Sequence, residues 1–261
     1  MQNNIYYKNT KISFSSIGKG AAIVLLHGFL ENSTMWNSVA KELSKQNKVI
    51  CIDLLGHGNT ECMGYVHSME LMAKAVEAVL KHLRIRKSIL IGHSMGGYVA
   101  LAFAEKNLQK VKGLCLMNST SLADDNERKT LRTRANKLVQ KHFKNMVQMS
   151  FTNLFSEESR NTYKYELKIA LKEAVQTTLQ GYIACQEGMK IRPNREPVLQ
   201  ELPCKKLLII GKKDPVLDFE TSIKEAKNNH LETVIFNDGH MSHIENKVEL
   251  IDALKQFVKS C

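Results

Sequence analysis

Residues 89–103 read ILIGHSMGGYVALAF. The first three are apolar and largely β-branched, as in a strand buried on both faces, and Tyr98 to Phe103 has the composition of a helix packed in a core. Between the two runs stand Gly92, Ser94, Gly96 and Gly97. A strand that passes at once into a helix folds back on itself, and residues two positions either side of the apex approach too closely for side chains. Gly92 and Gly96 make room for that turn, Gly97 lets the helix pack close, and Ser94 at the apex is expected to take a strained backbone that exposes its hydroxyl. Gly-x-Ser-x-Gly between a strand and a helix is the signature of a nucleophile elbow.

On either side of this seam, short runs rich in Val, Ile and Leu alternate with helix-length segments. The strand-like runs are residues 22–26, 49–52, 89–91, 111–117, 207–210 and 233–236, with an edge hairpin over 5–17. Helical patterns fall at 33–44, 67–83, 94–106, 220–228 and 246–259. This alternation predicts an α/β fold, a mostly parallel central sheet flanked by helices. Residues 119–203 break the rhythm: they hold no convincing strand, and a structureless loop of that length is improbable in a compact domain. Their apolar residues recur at helical spacing, through Leu131, Ala135, Leu138, His142 and Met146, then Leu167, Leu171, Ala174, Thr178 and Tyr182. A helical insertion is expected there, with RPNREP at 192–197 returning the chain to the sheet.

A chain of 261 residues with 43% hydrophobic residues can bury the core such a fold needs. No window approaches the roughly 18 apolar residues of a membrane span, and MQNNIYYKNTKISF lacks the basic flank and apolar block of a secretory signal. Six cysteines without a CxxC pair read as reduced core thiols of a cytoplasmic protein, and no metal site is expected. The formal charge of +11 owes much to Arg128, Lys129, Arg132, Arg134, Lys137, Lys141 and Lys144. With no aromatic-interleaved basic motif, these read as a solvated helix face, with a surface steering an anionic substrate as the alternative, and not as a nucleic-acid surface.

A seryl hydroxyl needs a base to become a nucleophile. His240, in NDGHMSH after the last strand-like run, falls at the same sheet edge as Ser94, because parallel strands all end there. His243 is the competitor, while His27 and His93 read as loop or packing residues. A carboxylate should orient the base, and Asp214, in GKKDPV after the preceding strand, occupies that place. Asp218 reads as the N-cap of the next helix and Asp238 as a turn residue. Acyl transfer also needs N–H donors for an oxyanion. Met95 offers one at the start of its helix, and Phe29, in HGFLEN, offers the other, with Gly28 allowing close backbone approach.

These blocks together resemble the α/β-hydrolase fold, in its single-domain esterase type with a helical cap: GHSMGG for the elbow, HGFLENSTMW for the oxyanion loop, DLLGHGNT after the next strand, GKKDPV for the acid and GHMSHIEN for the histidine. The resemblance implies a core of residues 1–118 and 204–261, a cap of residues 119–203 ended by GMKIRPNRE, oxyanion donors at Phe29 and Met95, and no cofactor. It also implies that Asp53 and His57 belong to a structural loop. Trp36 reads as a packing residue, and Met189 fits either the pocket or the core. The chemistry expected is hydrolysis of small or medium carboxylic esters by Ser94, His240 and Asp214, with a small-molecule ester as the partner. Thioester or carbon–carbon bond hydrolysis uses the same triad, as does a menaquinone-pathway lyase, although such lyases resemble this chain less at Tyr98, where they usually carry arginine. A non-catalytic small-molecule binder is the alternative outside enzymes. None of these motifs encodes an oligomeric state.

Overall fold

The computed structural model describes residues 2–261. Among them, eight strands form one sheet: β1 (Gln2–Tyr7), β2 (Thr10–Ile17), β3 (Ala21–Leu26), β4 (Asn47–Ile52), β5 (Ser88–His93), β6 (Val111–Met117), β7 (Lys205–Gly211) and β8 (Glu232–Phe236). Their order is β1-β2-β4-β3-β5-β6-β7-β8. The β1–β2 hairpin joins β4 antiparallel, and every later pairing is parallel. The expected mostly parallel α/β sheet is thus what the chain forms.

The period of two along each strand divides the core. Val24, Leu26, Ile50, Leu90, Leu114 and Leu116 face α2 (Met69–His82) and α3 (Met95–Lys106). Ile23, Leu25, Val49, Ile89, Ile91 and Cys115 face α1 (Asn37–Leu43), Trp36 and α12 (Lys247–Ser260). Strands covered on both sides are uniformly apolar, which is why these runs stood out in the sequence. Trp36 is fully buried in the second cluster, as a packing residue.

Between β6 and β7 lie α4 (Asn126–Val139), α5 (Phe143–Thr152), α6 (Glu157–Thr162), α7 (Lys164–Ala174), α8 (Leu179–Lys190) and α9 (Glu196–Glu201). Two expectations need correcting here. The apolar spacing from Leu131 to Met146 is not one helix: His142, at φ −136°, interrupts it, and Leu131 and Leu138 are exposed while Asn136 and Val139 are buried. Nor does RPNREP lead straight to the sheet, because Pro197 sits in the first turn of α9, where its missing N–H costs nothing. Similarly, residues 33–44 split into a 3-10 turn (Ser33–Trp36), begun by Thr34 N donating to Asn32 Oδ1 at 2.9 Å, and then α1. The remaining helices, α10 (Phe219–Asn228) and α11 (Ser242–Glu245), follow β7 and β8.

α8 is seated on the sheet-side loops by its backbone. A Cβ on Gly181 would overlap the Gly56 carbonyl, and one on Gly188 would overlap the carbonyl of His67. His67 N donates to Ala184 O at 2.9 Å on the same helix face. Gly188→Ala is therefore expected to destabilise the fold by about 1–3 kcal/mol or more through overpacking against a main chain that cannot yield. Urea unfolding would read this as a lowered midpoint at unchanged slope.

Candidate active site

β5 ends at His93 and α3 begins at Met95, leaving Ser94 alone between them. Ser94 sits at φ 49° and ψ −115°, a conformation costing a non-glycine residue about 1–3 kcal/mol. Its surroundings hold it there. Ser94 N donates to Met117 O at 2.9 Å, Gly97 N donates to Ser94 O at 3.0 Å, and Ser119 Oγ donates to Ser94 O at 2.7 Å. A Cβ on Gly92 would strike Gly96 and Gly97, and one on Gly96 would strike the carbonyls of Leu26 and His27. Both glycines meet the steric demand that their spacing implied.

The loops after β7 and β8 bring Asp214 and His240 to this turn. Ser94 Oγ lies 2.9 Å from His240 Nε2, and His240 Nδ1 lies 2.7 Å from Asp214 Oδ2. With Nδ1 donating to the carboxylate, Nε2 is the nitrogen placed to accept the seryl proton. Burial alone would raise the Asp214 carboxyl's pKa. The neighbouring His240 and the amides of Val216 and Leu217, at 2.8 and 3.0 Å from Oδ1, outweigh that and hold it below the usual range. Asn118 Nδ2 adds a bond to Oδ2 at 3.2 Å. His243 faces Glu31 at 3.6 Å instead, Asp218 caps α10 by accepting from Thr221 N, and Asp238 accepts from Asn246 Nδ2.

The loop after β3 carries Phe29. The amides around it are spoken for: Gly28 N donates to Glu31 Oε2 at 2.8 Å and Leu30 N to His57 Nε2 at 3.1 Å. The amides of Phe29 and Met95 have no acceptor among the described residues. DLLGHGNT braces this loop, since Asp53 accepts from Ser33 N and Asn59 N, and His27 Nε2 accepts from Leu54 N. His67 Nε2 likewise accepts from Met63 N. Burial pushes His57 down to about 3 and His67 to about 4, and lowers His27 as well, so each ring stays a neutral acceptor.

Ser94 and His240 open into a cavity of about 260 Å³, walled by Phe29, Tyr98, Leu131, Leu154, Tyr182 and Met189. Arg128 and Arg132 also line it, which corrects the expectation that α4 turns all its basic side chains to solvent. Arg132 Nε pairs with Asp124 at 2.5 Å, and Arg192 Nη1 reaches the same carboxylate at 2.6 Å, so two guanidinium groups share one counter-charge. Arg192 also stacks 4.0 Å from the centroid of Tyr98. A second cavity, of about 290 Å³, lies across Leu30 and Glu31 and is lined by Phe151, Tyr163, Glu173 and His243. Among the described residues, no group of three His, Cys, Asp or Glu side chains is placed to hold a metal, and no helix is long and apolar enough to cross a membrane.

Comparison with known proteins decides the family, because a profile described as "alpha/beta hydrolase fold" matches residues 21–247. The chain belongs to the α/β-hydrolase family. Among solved members, a thermophilic esterase from Thermogutta terrifontis superposes with a TM-score of 0.92 at 26% identity, over 99% of this chain and 98% of that one. The enol-lactonase from Burkholderia xenovorans LB400 shares the fold with a TM-score of 0.90 at 19% identity, over 98% and 100% of the two chains. By sequence, the 2-hydroxy-6-oxo-6-(2'-aminophenyl)hexa-2,4-dienoic acid hydrolase of Metapseudomonas resinovorans is 24% identical over 251 residues, 92% of this chain and 85% of that protein. An uncharacterised protein of Mycobacterium tuberculosis is 37% identical over 113 residues, 43% of this chain but only 33% of its own length.

Sequence reasoning treated His93 as packing and passed over Glu31. In the folded α/β-hydrolase they form a buried pair, His93 Nδ1 to Glu31 Oε2 at 2.6 Å. Only their positions inside GHSMGG and HGFLEN hinted at it. Four buried histidines, His27, His57, His67 and His243, have their pKa lowered from 6.5, His243 to about 4, all chiefly by burial. The unfolded chain therefore binds more protons below pH 6.5, and the stability these rings contribute above that pH is lost as pH falls toward their folded values. His57, His67 and His243 each cost on the order of 1–2 kcal/mol between pH 6.5 and 5. Urea titrations should show the unfolding midpoint dropping across this window, with a shallower drop in His57→Gln, whose amide oxygen still accepts from Leu30 N.

Proposed function

We propose that this α/β-hydrolase is a serine hydrolase of small or medium carboxylic esters. The observation that carries this reading is the contact chain from Ser94 Oγ through His240 to Asp214, at 2.9 and 2.7 Å, opening into the cavity of about 260 Å³. In this reading Ser94 Oγ attacks the ester carbonyl while His240 Nε2 takes its proton, and Asp214 steadies the resulting imidazolium. The carbonyl oxygen, now an anion, draws on the amides of Phe29 and Met95. His240 returns the proton to the departing alcohol, and a water activated by the same ring then releases the acyl group from Ser94.

Residues 119–203 serve as the cap over the pocket, and residues 1–118 with 204–261 as the core beneath it. Arg128, whose Nη2 donates to Val216 O at 2.5 Å, and Arg132 give the cap side of the pocket a positive wall. That favours substrates with an acidic group remote from the scissile bond. The same wall favours a second reading, proton abstraction from an anionic substrate by the same triad.

A fluorophosphonate probe should label the wild type, and label neither Ser94→Ala nor His240→Ala. Asp214→Asn should lower kcat on the order of 10⁴-fold through the wrong imidazole tautomer. Against a pair of aryl esters alike in size, one a dicarboxylic half-ester and one neutral, Arg128→Ala should raise KM selectively for the charged one. A folded wild type that takes no label and turns over no ester sinks the hydrolase reading and leaves the proton-abstraction reading to be assayed.

A further inference from the structure

His93 precedes the nucleophile and is 1% exposed. Its two ring nitrogens both face oxygens. Nδ1 lies 2.6 Å from Glu31 Oε2, and Nε2 lies 2.9 Å from the main-chain carbonyl of His240. A carbonyl can only accept, so Nε2 must carry hydrogen. Glu31 Oε2 already accepts from Gly28 N at 2.8 Å, which suits a carboxylate and leaves Nδ1 as the donor. A neutral imidazole has one N–H and would set its bare nitrogen against an oxygen lone pair. The ring therefore carries both hydrogens, as an imidazolium whose charge Glu31 balances.

The groups around the ring agree with this. His27 and Glu31 come from the loop after β3, Asp214 from the loop after β7, and His240 and His243 from the segment after β8, with ring centroids 5.1 and 5.7 Å from His93. His27 and His243 are held neutral by burial, so the carboxylates dominate. Burial would lower His93, yet Glu31, the His240 carbonyl and Asp214 raise it above 6.5, and the same pairing brings Glu31 down to about 2 despite its own burial.

Three distant segments meet at this ring. Ser94 is its covalent neighbour, Glu31 holds the amide next to Phe29, and the His240 carbonyl is part of the base's own backbone. A buried ion pair is a poor way to gain stability, but it fixes geometry more sharply than apolar packing does. We propose that His93 is a positioning residue that stays protonated at neutral pH, and that its pairing with Glu31 registers the Phe29 loop and the His240 backbone against the turn carrying Ser94. The kinetic consequence rests on the hydrolase reading above; the ionisation and the registration do not.

The test begins with nitrogen-15 NMR of the wild-type histidine rings at pH 7.5, which should show both nitrogens of His93 protonated while His57 and His67 show one each. In Glu31→Gln, His93 should become neutral and the amide resonances of Phe29 and His240 should shift. With active sites counted by fluorophosphonate titration, Glu31→Gln and His93→Asn should each lower kcat on the order of 10–100-fold with KM nearly unchanged. The double variant should lose no more than the worse single one, because both remove one device. A His93 ring with one bare nitrogen in the folded wild type overturns the proposal, as do unmoved Phe29 and His240 resonances in Glu31→Gln. Variants with lowered Tm but full kcat per titrated site would reduce the pair to a stabilising contact and overturn it too. If the wild type neither labels nor turns over esters, the hydrolase reading falls while the spectra still decide the ionisation and the registration.

Discussion

Everything at the site depends on holding one serine where serine does not rest. At φ 49° and ψ −115° Ser94 stores strain, and strain of this kind persists only where neighbours over-determine the backbone. Here the neighbours are hydrogen bonds from Ser94 to β6 and from Ser119 to Ser94 O, with glycines at the two points where main chains meet. The fully apolar strands on either side supply rigidity, since β3, β5 and β6 are gripped from both faces. The sheet and its two cores are thus the frame that allows a turn of one residue.

A second constraint is electrostatic. The loops at this sheet edge are built around histidines, and the rings of His27, His57, His67, His93 and His240 take their roles from what faces their nitrogens. Backbone amides of Leu54, Leu30 and Met63 require acceptors from His27, His57 and His67. Asp214 requires a donor from His240, and Glu31 requires one from His93. Protonating a ring of the first kind, or stripping a proton from His93, breaks a bond that positions the site. Rings of one residue type thus serve opposite electrical purposes within a few ångströms, and the deciding factor is whether an N–H or an oxygen lies opposite.

How much of this was legible followed from how local each cause is. The strands could be read because burial on both faces writes itself as unbroken apolar runs, and the elbow because two glycines answer to one turn. Asp218 was legible as a cap because the amide it serves is three residues away. The break between α4 and α5 was hidden, since Leu131 and Leu138 keep helical spacing while about half exposed; the spacing alone cannot tell a buried stripe from an exposed one. Glu31 and His93 stand 62 positions apart, and nothing local to either marks it as ionised. The inward turn of Arg128 and Arg132 depends likewise on how the helices sit over the sheet.

The main-chain seating of α8 makes the helical layer asymmetric. Where Gly181 and Gly188 meet Gly56 and His67, no side chain intervenes that could change rotamer to accommodate movement. Elsewhere, α7 and the residue before it join the core through side chains, Tyr163 Oη to Glu245 O at 2.7 Å and Asn32 Nδ2 to Glu173 at 3.0 Å, and the cavity of about 290 Å³ lies beside them. Side-chain bonds can be exchanged for water one at a time, whereas interlocked backbones separate all at once or not at all. The layer is thus held by main chain at α8 and by exchangeable side-chain bonds beside α7, and Leu30 and Glu31 line both cavities between the two.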